Sequence, residues 1–89
     1  MYFVYMIKNS RDDLYVGITE NPDNRIYYHN TNQGADFTKN GKDFKLVFLE
    51  SYNTLSEARK REIQIKKWRR DKKEMLIGRY LAGLPTKSF

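Results

Sequence analysis

The sequence contains no cysteine, and this absence excludes two classes of protein. Without thiols the chain cannot be a disulfide-stapled scaffold, and it cannot bind a metal through thiolates. A long hydrophobic run is also missing. The apolar N-terminal stretch Met1–Ile7 is too short for a membrane span or a signal peptide, and no charged segment precedes it. We therefore expect a soluble, cytoplasmic protein that has no membrane partner.

Internal repeats, low-complexity tracts and signs of a second domain are absent as well. The 89 residues correspond to one domain, since domains most often contain about 100 to 150 residues. Hydrophobic residues make up 39% of the chain, which argues against disorder. We expect one domain over residues 1–83. A flexible tail should follow over 84–89, because Gly83 and Pro85 stop the last helix.

Positive charge is abundant, and it is concentrated in one segment. Seventeen Lys and Arg residues against eleven Asp and Glu residues give a net charge of +6. The segment Arg59–Lys73 holds nine basic and two acidic residues. A solvated helix face is one explanation, but such faces usually mix both signs. We therefore expect this segment to bind the phosphates of nucleic acid, through Lys66, Lys67, Arg69 and Arg70.

Two strand-forming runs open the chain. Tyr2–Ile7 and Leu14–Thr19 are rich in aromatic and β-branched residues, which favour strands. Asn, Ser and Asp between the runs favour a turn, so we expect an antiparallel hairpin. Residues 21–23 (Asn-Pro-Asp) then predict a helix start, with Asn as the N-cap and Pro at the first helical position. This helix is expected to reach Asn30.

A loop and a third strand follow the first helix. The stretch Thr31–Asp43 is polar and contains Gly34 and Gly41, which predicts a loop. Loops of this length are often functional in so small a domain. Lys45–Tyr52 is rich in strand-forming residues and predicts the third strand.

Two helices complete the domain. Thr54 and Glu57 fit a capping box, which predicts the start of a basic helix that ends near Arg70. Asp71 is expected to cap a last helix that reaches Leu81. The element order β-β-α-β-α-α describes a small α/β fold of the α+β type, with a three-stranded antiparallel sheet flanked by helices.

One acidic residue falls where an apolar one is expected. At helical spacing Leu55, Ala58, Glu62 and Ile65 share a stripe that should face the core. A buried carboxylate is costly unless a cation, a metal or several donors lie nearby. Two explanations stay open: Glu62 binds a metal, or it forms an ion pair with Lys66 one turn later.

Polar groups on the two strands and the first helix form a second pattern. Side chains alternate across a strand, so Tyr5 and Tyr15 are expected on one side of the hairpin with Gly17 beside them. Tyrosine pairs are most often core packing, but glycine inside a strand indicates close approach of a ligand or another backbone. Arg25 and His29 are four residues apart, which places them on one face of the first helix.

Along the chain, these residues resemble the motifs of the GIY-YIG family. Tyr5 matches the tyrosine of the first half-motif, where Phe3 and Val4 replace Gly and Ile. Residues 15–17 (Tyr-Val-Gly) match the second half-motif with Val in place of Ile. The departure in the first half-motif spares the tyrosine, which is the side chain that the family's chemistry uses.

The remaining motif residues extend the resemblance through the basic helix. Arg25 and His29 resemble the family's Arg-x-x-x-His on the first helix, and Glu62 resembles its metal-binding glutamate. The resemblance covers about residues 2–75, and the short stand-alone bacterial members are the most similar. Five motif positions in order make it far more specific than a single Tyr-Val-Gly.

The resemblance implies a GIY-YIG fold and a metal-dependent endonuclease that hydrolyses phosphodiester bonds in nucleic acid. DNA is the favoured substrate, in structure-directed processing or repair. Glu62 would bind Mg²⁺, with Mn²⁺ as an alternative, and no small-molecule cofactor is expected. Arg25 would bind the phosphate, and Tyr15 and His29 would orient the water, the Tyr5 hydroxyl or the phosphate. The general base would be Tyr5 or His29.

Two other functions compete with this interpretation. The altered first half-motif suits a non-catalytic GIY-YIG module that binds nucleic acid without cutting it. A protein-interaction adaptor would use the basic helix to bind an acidic partner. Cleavage assays separate the first from an enzyme, and the absence of nucleic-acid affinity at low salt would indicate the second.

Overall fold

The computed structural model describes residues 1–30 and 43–89, with the side chains of Tyr28 and His29 excepted. The predicted order β-β-α-β-α-α is confirmed. The predicted loop Thr31–Asp43 lies, apart from Asp43, outside the described residues. The elements are β1 (Tyr2–Lys8), β2 (Leu14–Thr19), α1 (Pro22–Asn30), β3 (Lys45–Tyr52), α2 (Leu55–Lys66) and α3 (Arg70–Leu81).

The three strands form one antiparallel sheet in the order β2-β1-β3, which confirms the predicted fold class and hairpin. β1 is the central strand, and its residues Val4–Ile7 are at most 1% exposed. Four consecutive buried residues mean that both faces of the strand are covered. In the register of β1, Tyr5 lies opposite Gly17 on β2 and Leu49 on β3. Among the described residues, the edge strand β2 pairs with β1 alone, which leaves its other side without a neighbouring strand.

The sheet separates two hydrophobic clusters. The larger one joins one face of the sheet to helices α2 and α3, and its buried members are Val4, Met6, Val16, Phe48, Ala58, Ile65, Leu76 and Ile77. The smaller one, on the opposite face, is built on Tyr5, Ile7 and Phe44, with Tyr15 and Ile26 packed against it. Alternation along β1 therefore sends Tyr5 to the side of the sheet that helix α1 covers.

Two helix starts match their predicted caps. The backbone N–H of Asn24 donates to Asn21 Oδ1 at 3.2 Å, and the N–H of Glu57 donates to Thr54 Oγ1 at 3.2 Å. Both caps satisfy backbone donors that a helix start leaves without partners.

The predicted boundary between α2 and α3 is wrong by a few residues. Helix α2 ends at Lys66 instead of near Arg70, and Asp71 lies inside the first turn of α3 instead of capping it. The chain turns at Trp68, whose N–H donates to Ile65 O at 3.0 Å and whose ring packs against the larger cluster. Burial of this ring sets the break, and the capping pattern at Asp71 does not.

Arg61 corrects the predicted helix faces. It belongs to the basic segment Arg59–Lys73, yet it is 7% exposed, whereas Leu55 of the predicted core stripe is 40% exposed. Its guanidinium forms hydrogen bonds of 3.0 and 3.2 Å to both carboxylate oxygens of Glu50, which is 4% exposed. A buried cation needs a buried anion, and Glu50 on β3 supplies it.

The predicted flexible tail, 84–89, makes contacts with the domain. Arg61 Nη2 donates to the backbone oxygen of Thr86 at 2.9 Å. The ring of Phe89 meets that of Trp68 edge-on, with centroids 5.8 Å apart. In the described part of the chain, no helix has the length and apolar character that crossing a bilayer requires.

Candidate active site

Tyr5 and Gly17 face each other across β1 and β2, and the tyrosine occupies the space that a side chain on Gly17 would need. A Cβ atom built on Gly17 would lie 2.5 Å from Tyr5 Oη and 2.7 Å from Cζ. Real Cβ atoms essentially never approach other atoms so closely, so only glycine admits the ring here. The prediction that Gly17 leaves room beside the tyrosines is confirmed.

Tyr15 lies beside Tyr5 on the same side of the hairpin, as predicted. The ring centroids are 6.3 Å apart and the planes are tilted by 36°. Tyr5 is 1% exposed, whereas Tyr15 is half-buried. Tyr15 also lines a surface groove at the free side of β2, with a volume of about 230 Å³. Tyr15 is thus the more exposed ring of the pair.

Arg25 reaches this cluster from helix α1. The Asn21 cap and Pro22 start the helix directly after β2, which brings its first turn over the hairpin. The Arg25 side chain is half-buried and forms a hydrogen bond with the Tyr5 side chain. An arginine held against a phenol has other donors with which to bind a phosphate.

The pKa of Tyr5 reports which charges surround it. Burial raises this pKa to about 12, the hydrogen bond and charge of Arg25 oppose the rise, and Tyr15 and Glu62 add to it. Tyr15 on β2, Arg25 on α1 and Glu62 on α2 thus all influence the electrostatics of Tyr5.

Glu62 bears out one of the two explanations that the sequence left open, and the other stays untested. Its carboxylate Oε2 lies 3.1 Å from Lys66 Nζ, so the ion pair within the helix is present. The Glu62 side chain is 15% exposed and the Lys66 side chain is 52% exposed. The carboxylate is therefore partly buried and paired within its own helix.

The donors present suit Mg²⁺ only in part. Among residues 1–30 and 43–89, no group of three His, Asp or Glu side chains forms a ready-made ligand set. Mg²⁺ is nevertheless commonly held by one or two carboxylates, several waters and the phosphates of a substrate. Glu62 fits such a site, which the substrate completes, and does not fit a site formed by protein groups alone.

The predicted phosphate-binding residues differ in their surroundings. Arg70 Nε lies 2.7 Å from Glu74 Oε2, and Arg70 Nη2 lies 3.1 Å from Asp12 Oδ2, so it holds the β1–β2 turn against α3. Lys67 and Arg69 are exposed and have no ion pair with any residue in the described ranges. The His29 side chain lies outside the described residues.

Sequence reasoning missed Lys73. It lines the groove at β2 together with Leu14, Tyr15, Val16 and Lys66. The residue stood inside the basic segment Arg59–Lys73, but nothing in the sequence distinguished it from its neighbours. Its place beside Tyr15 depends on how α3 packs against the hairpin.

Comparisons with known proteins agree with this geometry. The family model described as the GIY-YIG catalytic domain matches residues 1–75. The UPF0213 protein of Staphylococcus aureus strain Mu3 and UPF0213 protein SA0446 of strain N315 are each 45% identical over 76 residues. Each alignment covers 85% of this chain and 93% of the relative.

A solved structure is similar as well. The solution NMR structure of the UPF0213 protein BH0048 from Bacillus halodurans superimposes with a TM-score of 0.57 at 32% sequence identity. The match covers 88% of this chain and 84% of that one. The family match spans both strand tyrosines, the first helix and Glu62. The chain therefore belongs to the GIY-YIG family.

Proposed function

We propose that the protein is a metal-dependent endonuclease that hydrolyses phosphodiester bonds in nucleic acid, with DNA processing or repair as its setting. The observation that supports this proposal is the environment of Tyr5: the Tyr15 ring lies 6.3 Å away, Arg25 forms a hydrogen bond with the phenol, and Glu62 adds to the rise of its pKa. A phenol, a guanidinium and a carboxylate from three separate elements match what hydrolysis of a phosphodiester needs.

Tyr5 is protonated before substrate binds. With a pKa of about 12, about one side chain in 10⁵ is ionised at pH 7. Tyr5 acts as a base only if further positive charge reaches it, and Arg25 already opposes the effect of burial. His29, one turn beyond Arg25, is the alternative base in this proposal.

Arg25 has two tasks in this mechanism. It positions the Tyr5 hydroxyl through their hydrogen bond, and it offers its other N–H groups to the scissile phosphate. Negative charge grows on the phosphate oxygens as water attacks, so a fixed guanidinium stabilises the transition state more than the ground state. Tyr15, at the solvent side of Tyr5, orients the water or the phosphate.

Glu62 would hold the divalent cation. When bound, Mg²⁺ supplies Lewis-acid activation of the phosphate and stabilises the leaving 3′ oxygen. Glu62 is partly buried, which orients the carboxylate, and it must give up Lys66 as its partner. Lys67 and Arg69 would bind neighbouring phosphates, which positions the backbone without reading its sequence.

The test is cleavage by the purified protein of linear, nicked and branched DNA and RNA, with Mg²⁺ or Mn²⁺. Glu62→Gln and Tyr5→Phe should each reduce the rate by at least about 100-fold, the lower end for loss of a catalytic proton-transfer group. Glu57→Gln on the same helix and Tyr27→Phe, 69% exposed, are matched controls that should cut normally.

The outcomes separate the rival functions. Cleavage that Glu62→Gln abolishes supports the enzyme, and His29→Gln tests whether Tyr5 or His29 is the base. Binding without cleavage at every metal concentration would identify a non-catalytic module instead. Cleavage that survives in Glu62→Gln would remove this carboxylate from the mechanism.

A further inference from the structure

The groove at the free side of β2 carries two ammonium groups that the mechanism above does not use together. Lys66 comes from the last turn of α2 and Lys73 from the first half of α3, and both line the groove with Tyr15. Leu14 and Val16 form the rest of its lining. The groove holds about 230 Å³, which suits a phosphate group and its sugar but not a duplex.

Lys66 lies both at the carboxylate of Glu62 and in the lining of the groove. Its Nζ atom lies 3.1 Å from Glu62 Oε2, which is the carboxylate oxygen that a divalent cation would need. The same side chain is half exposed and lines the groove, where a phosphate would meet it. An ammonium and a divalent cation cannot share one carboxylate oxygen without strong repulsion.

We propose that the groove binds the backbone phosphate next to the scissile one, and that Lys66 passes from Glu62 to this phosphate when nucleic acid binds. The inference rests on the proposed function and deepens it. In the complex, Lys73 binds the phosphate. Lys66 pairs with Glu62 in the free protein and with the phosphate in the complex, which leaves Glu62 available to the metal. Metal binding and nucleic-acid binding are therefore coupled.

The coupling is modest and reciprocal. An ion pair with an exposed ammonium is worth little, so removing Lys66 should raise the affinity of the free protein for a divalent cation about two- to fivefold. Thermodynamic linkage requires that the metal tighten nucleic-acid binding by the same factor by which nucleic acid tightens metal binding. A substitution at Lys66 should therefore reduce both the effect of the metal on nucleic-acid affinity and the effect of nucleic acid on metal affinity.

The first experiment measures Mn²⁺ affinity of the full chain without nucleic acid, by electron paramagnetic resonance of free Mn²⁺. Lys66→Met should bind about two- to fivefold more tightly than wild type. Lys67→Met removes the same charge one position later, where there is no ion pair with Glu62, and should change the affinity less than twofold. Glu62→Gln should lose the site in either background.

The second experiment measures binding of a fluorescein-labelled DNA duplex with a single-stranded end, in a Tyr5→Phe background that should cut at least about 100-fold more slowly. Adding Mn²⁺ should tighten DNA binding by Tyr5→Phe. In the double variant Tyr5→Phe/Lys66→Met, this gain in affinity should be about two- to fivefold smaller. Lys73→Met should weaken DNA binding equally with and without Mn²⁺, and leave Mn²⁺ affinity unchanged. Circular dichroism verifies that each variant is folded.

Equal Mn²⁺ affinities for Lys66→Met and Lys67→Met would overturn the inference, because Lys66 would then not shield the carboxylate. In that case loss of cleavage in Glu62→Gln would still support the proposed function. Undiminished Mn²⁺ binding by Glu62→Gln would overturn both, since the carboxylate would not be the ligand.

Discussion

Arg61 and Glu50 form a two-pronged ion pair between helix α2 and strand β3, with distances of 3.0 Å from Nε to Oε1 and 3.2 Å from Nη2 to Oε2. Tyr52 adds a hydrogen bond from its hydroxyl to Glu50 Oε1 at 2.8 Å. Arg61 also donates to Gln64 and to the backbone of Thr86. Helix α2 is therefore attached to the sheet by one of its own cations.

Removing one member of this pair should be costly. Arg61→Met leaves the Glu50 carboxylate buried without its cation, so we expect the free energy of unfolding to fall by about 3 to 5 kcal/mol. Urea unfolding followed by circular dichroism measures the loss. Arg59→Met removes an exposed charge from the same helix and should change stability by less than about 0.5 kcal/mol. Adding Glu50→Leu to Arg61→Met should restore part of the lost stability, and a further loss would contradict the explanation.

Gly17→Ala should disturb the candidate active site directly. The new Cβ would lie 2.5 Å from Tyr5 Oη and 2.9 Å from Cε1, so the buried ring must move. Overpacking of this kind costs about 1 to 3 kcal/mol, and cleavage should fall with it. Gly78→Ala is the matched control, because its Cβ meets nothing within 4 Å. There alanine should stabilise the helix by up to about 1 kcal/mol. Equal stability of the two variants would show that Tyr5 does not need the space.

Stability should decline at alkaline pH. Burial raises the pKa of Tyr5 from 10.0 to about 12, so between these values the unfolded chain loses a proton that the folded chain keeps. The contribution of Tyr5 to the free energy of unfolding is therefore fully present below pH 10. Within this window it declines by about 1 kcal/mol per pH unit. Burial, followed by hydrogen bonding to Glu50, also raises the pKa of Tyr52 and adds to the decline.

Urea unfolding of the wild type and of Tyr5→Phe, each just below pH 10 and at about pH 11, isolates the contribution of Tyr5. Tyr5→Phe removes the ionisable group, so this variant should lose less stability between the two pH values than the wild type does. Tyr27→Phe alters an exposed phenol and should behave like the wild type. Identical pH profiles for Tyr5→Phe and wild type would contradict the raised pKa.

Binding of nucleic acid should weaken steeply with salt. Each neutralised phosphate contributes about −0.9 to the slope of log affinity against log salt for duplex DNA. Lys67→Gln and Arg69→Gln should therefore each reduce the steepness by about 0.9. Lys87→Gln is the control, since Lys87 lies over the Tyr52 ring at the end of β3. Fluorescence anisotropy measures the slopes, and a flat salt response of the wild type would remove the basic segment Arg59–Lys73 from the interface.

Local patterns were sufficient for most of the architecture. Alternation predicted that Tyr5 and Tyr15 share a side, and the Asn21 and Thr54 caps predicted where two helices begin. These signals act between residues a few positions apart, so the sequence displays them directly. The boundary at Asp71 was wrong because Trp68 turns the chain to bury its ring, and burial depends on distant partners.

For this protein, the sequence alone determined the order of the elements, the pairing of the hairpin and the residues that resemble a nuclease motif. Only the tertiary structure decided which basic residues are paired: Arg61 with Glu50, Arg70 with Asp12 in the β1–β2 turn, and Lys66 with Glu62. The physical reason is that a charge faces the solvent or the core according to its partner. Such partners meet only when the whole chain has folded.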